Sequence, residues 1–422
     1  MKRLGDIAEK TEQVDRSTVD REMKLLLALA RTRQPSEVRQ HIHDLAEGVI
    51  DWERLYELAW RHRLVPLIFR SLEESGIAIP LDIRDTLDGD RAGAALRSLA
   101  YTEELLQIRS AFLTESIEFA VLKGPVLGVA FYDDLGLRPF GDLDILVRFD
   151  DVLRAKELLV GLGYRPDPPM SPRQERAFLA GQSAYEFFQD EKGFKVELHT
   201  ALVHRRFDFH HDIERIWAQT TSTTIGNAPI CMLGTDDLLL FLCVHGAKHS
   251  WRQLIWVCDV AELIRARPGI EWSKLIDEAE QRHCARMLFL GLYLANRWLG
   301  ASLPSPVQAR LEREDALPLL ASHVFERACA KEEIRERLRT DIRFHTLVRE
   351  TGHGKWRQVV EKTGDRIRGF VQKVHIAVRP SSADRAFVDL PSILSPLYLV
   401  VRPIRILRVI LFGRRERKRS DS

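Results

Sequence analysis

The stretch Gly141-Asp142-Leu143-Asp144-Ile145-Leu146-Val147 decides how this chain reads. Side chains on a strand alternate between faces. Asp142 and Asp144 therefore share one face, while Leu143, Ile145 and Val147 share the other. Two carboxylates side by side on a buried strand repel unless a cation lies between them. Hard oxygen donors at this spacing suit Mg²⁺ or Mn²⁺ rather than zinc. The pair points to a metal site that handles phosphates.

Working outward, Phe119-Ala120-Val121-Leu122 is a short apolar run that ends at Lys123-Gly124-Pro125. It reads as a buried strand turning into a helix, with Pro125 at the first helical position. A loop glycine at a helix start lets backbone N–H groups approach a phosphate, and the helix dipole favours the anion. Lys123 adds a positive charge at Gly124. Arg138, four residues before Asp142, is placed to reach phosphates too. Downstream, Asp151 to Leu162 reads as a helix stopped by Gly163. A Pro-rich loop (165–172) and a short helix follow. Two strands, Tyr185 to Gln189 and Phe194 to Leu198, are joined at Lys192-Gly193. In Lys195-Val196-Glu197-Leu198-His199, Glu197 lies between apolar neighbours and faces away from the core. If its strand neighbours that of Asp142 and Asp144, three carboxylates converge. His199 reads as a supporting or packing residue rather than a catalyst.

The order Leu-Lys-Gly, helix, Asp-x-Asp and a later acid resembles the nucleotidyltransferase superfamily of the DNA polymerase β type. The closer similarity is to a bacterial group of uncharacterised nucleotidyltransferases. It is carried by Leu122-Lys123-Gly124, Tyr132, Arg138, Asp142 to Val147, Gly163-Tyr164, Glu197-Leu198-His199 and the segment from Asp236 to Asp259. The resemblance implies an α+β fold, with a small mixed-sheet core of order β-α-β-α-β-β (117–205). That core is embedded between a helical N-terminal region (1–116) and helical regions at 206–300 and 301–392. It also implies Mg²⁺ or Mn²⁺ as cofactor and a nucleoside triphosphate as substrate. Asp142, Asp144 and Glu197 would be the metal-binding and catalytic residues, with Glu197 completing a second metal site or serving as general base. Lys123, Gly124, Arg138 and His249 would hold the nucleotide. Two departures stand out: the turn is Gly-Pro where a Gly-Gly or Gly-Ser pair is usual, and the third acid is Glu rather than Asp. The implied activity is transfer of a nucleoside monophosphate to a hydroxyl or phosphate acceptor. The alternatives are a degenerate fold serving as a binding or scaffold module, or a toxin-like enzyme acting on RNA or protein.

The rest of the chain bounds these readings. It has 422 residues, 45% of them hydrophobic, 29% charged, and a net charge of +2. That balance says little about partners and argues only mildly against a dedicated RNA binder. Five scattered cysteines without a CxxC pair read as reduced thiols in a cytoplasmic protein. Residues 1–116 show amphipathic helices and no chemistry, with Asp51 as an N-cap and Pro66 in the first turn of a helix. His245 and His249, spaced i, i+4, lie on one helix face. They make half a zinc site at most, since HExxH is absent and no cysteine pair supplies ligands. The tail, 393–422, interleaves Arg402, Arg405, Arg408 and Arg414 with Ile404, Leu407 and Leu411. Such a tail suits peripheral contact with an anionic membrane surface, nucleic acid or the protein's own body. Charges and prolines interrupt it too often for a membrane span.

Overall fold

The structure is a computed structural model. It describes residues 21–202 except 172, 174, 176, 177 and 180–183, then 213–330 and the isolated positions 344, 345, 347, 348, 388 and 401. The tail at 393–422 lies outside the described residues apart from position 401.

Among the described residues five helices come first: α1 (Arg21–Leu29), α2 (Ser36–Ala46), α3 (Trp52–Arg61), α4 (Val65–Glu74) and the long α5 (Leu81–Thr114). Asp51 caps α3 by accepting a hydrogen bond from the Arg54 N–H at 2.9 Å, and Pro66 lies in the first turn of α4. Strand β1 (Phe119–Val121) then leads through Gly124 into α6 (Pro125–Phe131). Next come β2 (Leu143–Val147), α7 (Val152–Gly161), β3 (Arg165–Asp167), β4 (Ala184–Gln189) and β5 (Phe194–His199). Short α8 (Ile213–Ala218) precedes β6 (Thr221–Ile225) and β7 (Ala228–Met232). Helices α9 (Thr235–Lys248), α10 (Ile255–Ala266), α11 (Trp272–Gln281), α12 (Ala285–Leu299), α13 (Ser305–Glu312) and α14 (Ala316–Cys329) follow.

The strands form one seven-stranded mixed sheet of order β3-β4-β5-β2-β1-β7-β6. The fold is α+β, as the resemblance implied. The sheet is wider than the expected one, for two reasons. Residues 165–167, read as loop, form the edge strand β3 on β4. Pro166 cannot donate to a ladder, but an edge strand leaves one side unpaired, so the proline is tolerated there. The stretch 206–300, expected to be helical, carries the β6–β7 hairpin. Its Gly226-Asn227 turn has Gly226 at φ 59°, a conformation that a tight two-residue turn between twisted strands requires. The hairpin joins the sheet where Met232 pairs with Val121 in parallel.

Leu143, Ile145 and Val147 are fully buried, as are Val196 and Leu198. This apolar face of β2 and β5 belongs to a hydrophobic core that runs unbroken from Met23 through the sheet to the helices after β7. Helix α9 packs closely on the layer behind it. A Cβ on Gly246 would lie 2.6 Å from atoms of the buried Trp251 ring, so only glycine fits there. Among the described residues no helix is long and apolar enough to cross a membrane, and all five cysteines are free.

Candidate active site

Strand register creates the site. β2 and β5 run parallel, with Asp144 directly opposite Glu197. β4 places Glu186 opposite Glu197 from the other side. Three acids in a row across a sheet would repel. Cations offset them: Lys195 Nζ lies 2.6 Å from Glu197 and 3.3 Å from Glu186, and Lys123 Nζ lies 3.0 Å from Asp144 Oδ2.

Lys123 reaches Asp144 because β1 pairs antiparallel with β2, so its end lies beside the start of the acid strand. The Leu122 N–H bonds to the Asp144 carbonyl at 2.9 Å. Gly124 then turns the chain at φ 67°, ψ −125°, a backbone state that disfavours any side chain. A Cβ there would meet Phe140 at 3.5 Å, an ordinary contact, so the backbone angle and not space selects glycine. With seven residues, α6 is short. Positive charge at this turn therefore rests on Lys123 more than on a helix dipole.

The structure brings the oxygens of Asp144 and Glu197 together with a ring nitrogen of His199, all within 4.8 Å of one another. His199 Nε2 lies 3.1 Å from Asp144 Oδ1 and 3.6 Å from Glu197 Oε2. Since a carboxylate only accepts, Nε2 carries the proton and donates. Asp142 was expected in this metal group and is not part of it. Ladder pairing of β2 begins at Leu143, so strand alternation does not carry the Asp142 side chain onto the Glu197 position. Asp142 still lines the same cavity.

Electrostatics separate the acids. Burial alone would raise Asp144, but Lys123 and His199 override it and hold this carboxyl far below the usual range. Glu197, also buried, is brought down to about 2 by His199 and Lys195. Asp142 goes the other way, raised by burial and by the Asp144 charge. His199 is raised despite its burial, because both carboxylates hold its proton. Asp144 Oδ2 accepts no directed hydrogen bond among the described residues, although Lys123 stands close to it.

Arg138 lies on the cavity wall but is largely committed elsewhere. Its Nε and Nη2 donate to the two oxygens of Asp259 at 2.7 and 2.8 Å, and Tyr132 Oη donates to Asp259 Oδ1 at 2.8 Å. Arg138 thus lines the cavity and also makes an interior tie between the loop before Asp142 and α10. Tyr101, on α5, makes a second tie. Its hydroxyl donates to the Gly141 carbonyl at 2.6 Å and accepts from the Lys195 N–H at 3.2 Å. Both acid strands are thus pinned to one phenol.

The cavity, about 370 Å³, extends from the acids to a helical wall formed by His245, Lys248, His249, Gln253 and Trp256. Burial and neighbouring lysines depress both histidines, His249 to about 3, so both are neutral rings. His249 is on the cavity wall as expected. Arg63, from the turn after α3, also reaches the cavity, although residues 1–116 had read as devoid of chemistry.

A mixed sheet with facing acids on parallel strands, beside a Lys-Gly turn at a polar cavity, has the architecture of a nucleotidyl-transfer fold. Residues 48–300 match the family described as uncharacterised nucleotidyltransferase. The match spans more than half of the chain, and the protein belongs to that family. No curated protein matches it. Membership makes it a transferase of the nucleotidyl-transfer class.

Proposed function

We propose that the protein moves a nucleoside monophosphate from a nucleoside triphosphate to a hydroxyl or phosphate acceptor, releasing pyrophosphate, with Mg²⁺ or Mn²⁺. The observation that carries this reading is the face-to-face pairing of Asp144 and Glu197 beside Lys123-Gly124. The donor set fits a hard divalent cation: two carboxylates held ionised, one buried oxygen without a directed bond, and an imidazole bonded to the same carboxylate. Asp144 and Glu197 would hold the ion, with Asp142 as a further carboxylate on the same wall. When bound, the ion supplies charge neutralisation on the phosphates and a lower pKa for the attacking hydroxyl.

The chain's own residues do the remaining work. Lys123 meets phosphate charge, and Gly124 lets backbone come close. His199 keeps Asp144 aimed. The acceptor oxygen bonds to the α-phosphorus as the bond from that phosphorus to the pyrophosphate oxygen breaks. The acceptor's proton passes to a carboxylate of the cavity wall. Positioning and charge dominate such a transfer.

The closeness of Lys123 to Asp144 favours a second reading. An internal ammonium neutralises the acid, and the pocket binds nucleotide without turnover. Isothermal titration with non-hydrolysable triphosphates, with and without Mg²⁺, tests the metal reading. Binding that requires the metal and disappears in an Asp142→Ala/Asp144→Ala double variant supports it. Binding indifferent to metal and to these acids favours the second reading.

A further inference from the structure

The cavity has two unlike walls. One carries the acids; the other is aromatic and basic, and comes from the turn after α3 and from the α9–α10 corner. On that second wall His245, His249 and Trp256 form a contiguous ring cluster. The His249 and Trp256 centroids are 5.3 Å apart, inclined at 39°. His245 stands 4.7 Å from His249 and 5.4 Å, edge-on, from Trp256. All three rings are half-buried and line the cavity. Their covered parts pack on one another, and their open parts face the space beside the acids.

Two further polar groups line the same cavity. Among the described residues neither the Arg63 guanidinium nor the Gln253 amide has a side-chain partner. The Arg63 backbone is held in place, and its side chain is exposed. Its φ is 57°, and the preceding His62 ring is buried, with Nε2 3.1 Å from the Ala328 carbonyl and Nδ1 accepting from the Leu254 N–H at 3.4 Å. The same Leu254 precedes α10, so one buried imidazole fixes the arginine relative to the aromatic wall.

We propose that this wall is the nucleoside subsite: the base of the triphosphate stacks on Trp256 and His249, and Arg63 meets the phosphate chain. The proposal rests on the nucleotide reading above. Flat π-faces accept any base by stacking. A neutral His249 brings no charge against the base. The Gln253 amide offers both a donor and an acceptor to a base edge. An arginine, an aromatic cluster and an acid pair lining one cavity match a ligand that is flat at one end and polyanionic at the other. A hydroxyl acceptor alone would use neither feature.

The test uses the full chain with Mg²⁺ and two probes: α,β-methylene nucleoside triphosphates, and ribose 5-triphosphate, which lacks a base. The wild-type chain should bind the best nucleotide at least about fivefold tighter than ribose 5-triphosphate, the lower end expected for one stacked base. Trp256→Leu should remove most of that margin and leave ribose 5-triphosphate unchanged, while Trp256→Phe keeps it. Arg63→Gln should weaken both probes by a similar factor. Equal wild-type affinities for the two probes would overturn the proposal even if Trp256→Leu does not fold. So would a folded Trp256→Leu that retains the margin, or an Arg63→Gln that alters neither probe. A wild-type chain that binds ribose 5-triphosphate but gains nothing from a base defeats only this subsite. A chain that binds neither probe defeats the nucleotide reading itself.

Discussion

Asp144 serves folding as well as chemistry. From Asp-x-Asp alone, replacing either aspartate should relieve repulsion and leave folding unchanged or improved. The surroundings of Asp144 reverse that expectation for one of the two. Asp144→Ala strands the buried Lys123 ammonium and the His199 proton, and an uncompensated buried charge costs about 3–5 kcal/mol. Asp142 has no such dependents and is itself raised by its neighbours. In urea titration Asp144→Ala should be strongly destabilised, and Asp142→Ala should be close to wild type or better. Equal effects would refute the assignment of Lys123 to Asp144. Gly124→Ala should lose about 1–3 kcal/mol from its positive φ alone, read in the same titration. Asp144 and Glu197 were legible in the sequence because each sits in a short run whose periodicity fixes its face, and Lys123-Gly124 because an apolar run ends there in a turn; Asp142 lies one residue before the ladder, where that periodicity no longer decides. His199 was visible on that same face, two residues after Glu197, yet its contact with Asp144 depends on which strands are neighbours. Arg63 gave no local signal. Its place at the cavity depends on packing across almost two hundred residues, through His62 and Leu254.

At the scale of elements, buried hydrogen bonds tie the α/β core to the helices. Asp259 on α10 accepts from Arg138 and Tyr132, all deeply buried. Asp259→Ala should cost about 3–5 kcal/mol by leaving Arg138 unpaired. Tyr132→Phe should cost nearer 1 kcal/mol, one hydrogen bond. Thermal melts rank the two, and the reverse order would contradict the tie. His62 links the end of α3 to α10 and α14 and supplies a pH signature. Burial lowers its pKa to about 4 from an ordinary 6.5. The folded state therefore excludes a proton that the unfolded chain binds. The stabilising contribution is full above about pH 6.5 and declines as pH falls toward 4, by roughly 3 kcal/mol in all. Denaturant midpoints across this window should drop less steeply in His62→Leu than in wild type. Parallel slopes would show that His62 is not the source. Helices and the central strands were readable from period and caps. The missed strands were masked by composition: Pro166 in β3 argued for loop, and the Thr-rich β6 lacks the apolar alternation of a core strand. Its Gly226-Asn227 turn was the available cue.

The whole molecule brings the parts together. Acids from the sheet, rings from α9 and α10, and an arginine from the N-terminal helices meet around one cavity. The family match at 48–300 starts inside that helical region, in keeping with a site that draws on it. Chelation by EDTA should abolish transfer, and Mn²⁺ or Mg²⁺ should restore it. Activity that survives exhaustive chelation would remove the metal from the proposal. The basic tail is a separate question. Co-sedimentation with anionic liposomes should disappear when 393–422 is deleted, and unchanged co-sedimentation would exclude it as a membrane contact. The central claim is that Asp144 and Glu197 form a divalent-cation site for a triphosphate. The most direct measurement is anomalous diffraction from crystals grown with Mn²⁺ and an α,β-methylene nucleoside triphosphate. The expected result is a manganese peak bound by the carboxylates of Asp144 and Glu197 and by phosphate oxygens. Ordered nucleotide with Lys123 still against Asp144, and no peak there, would contradict it.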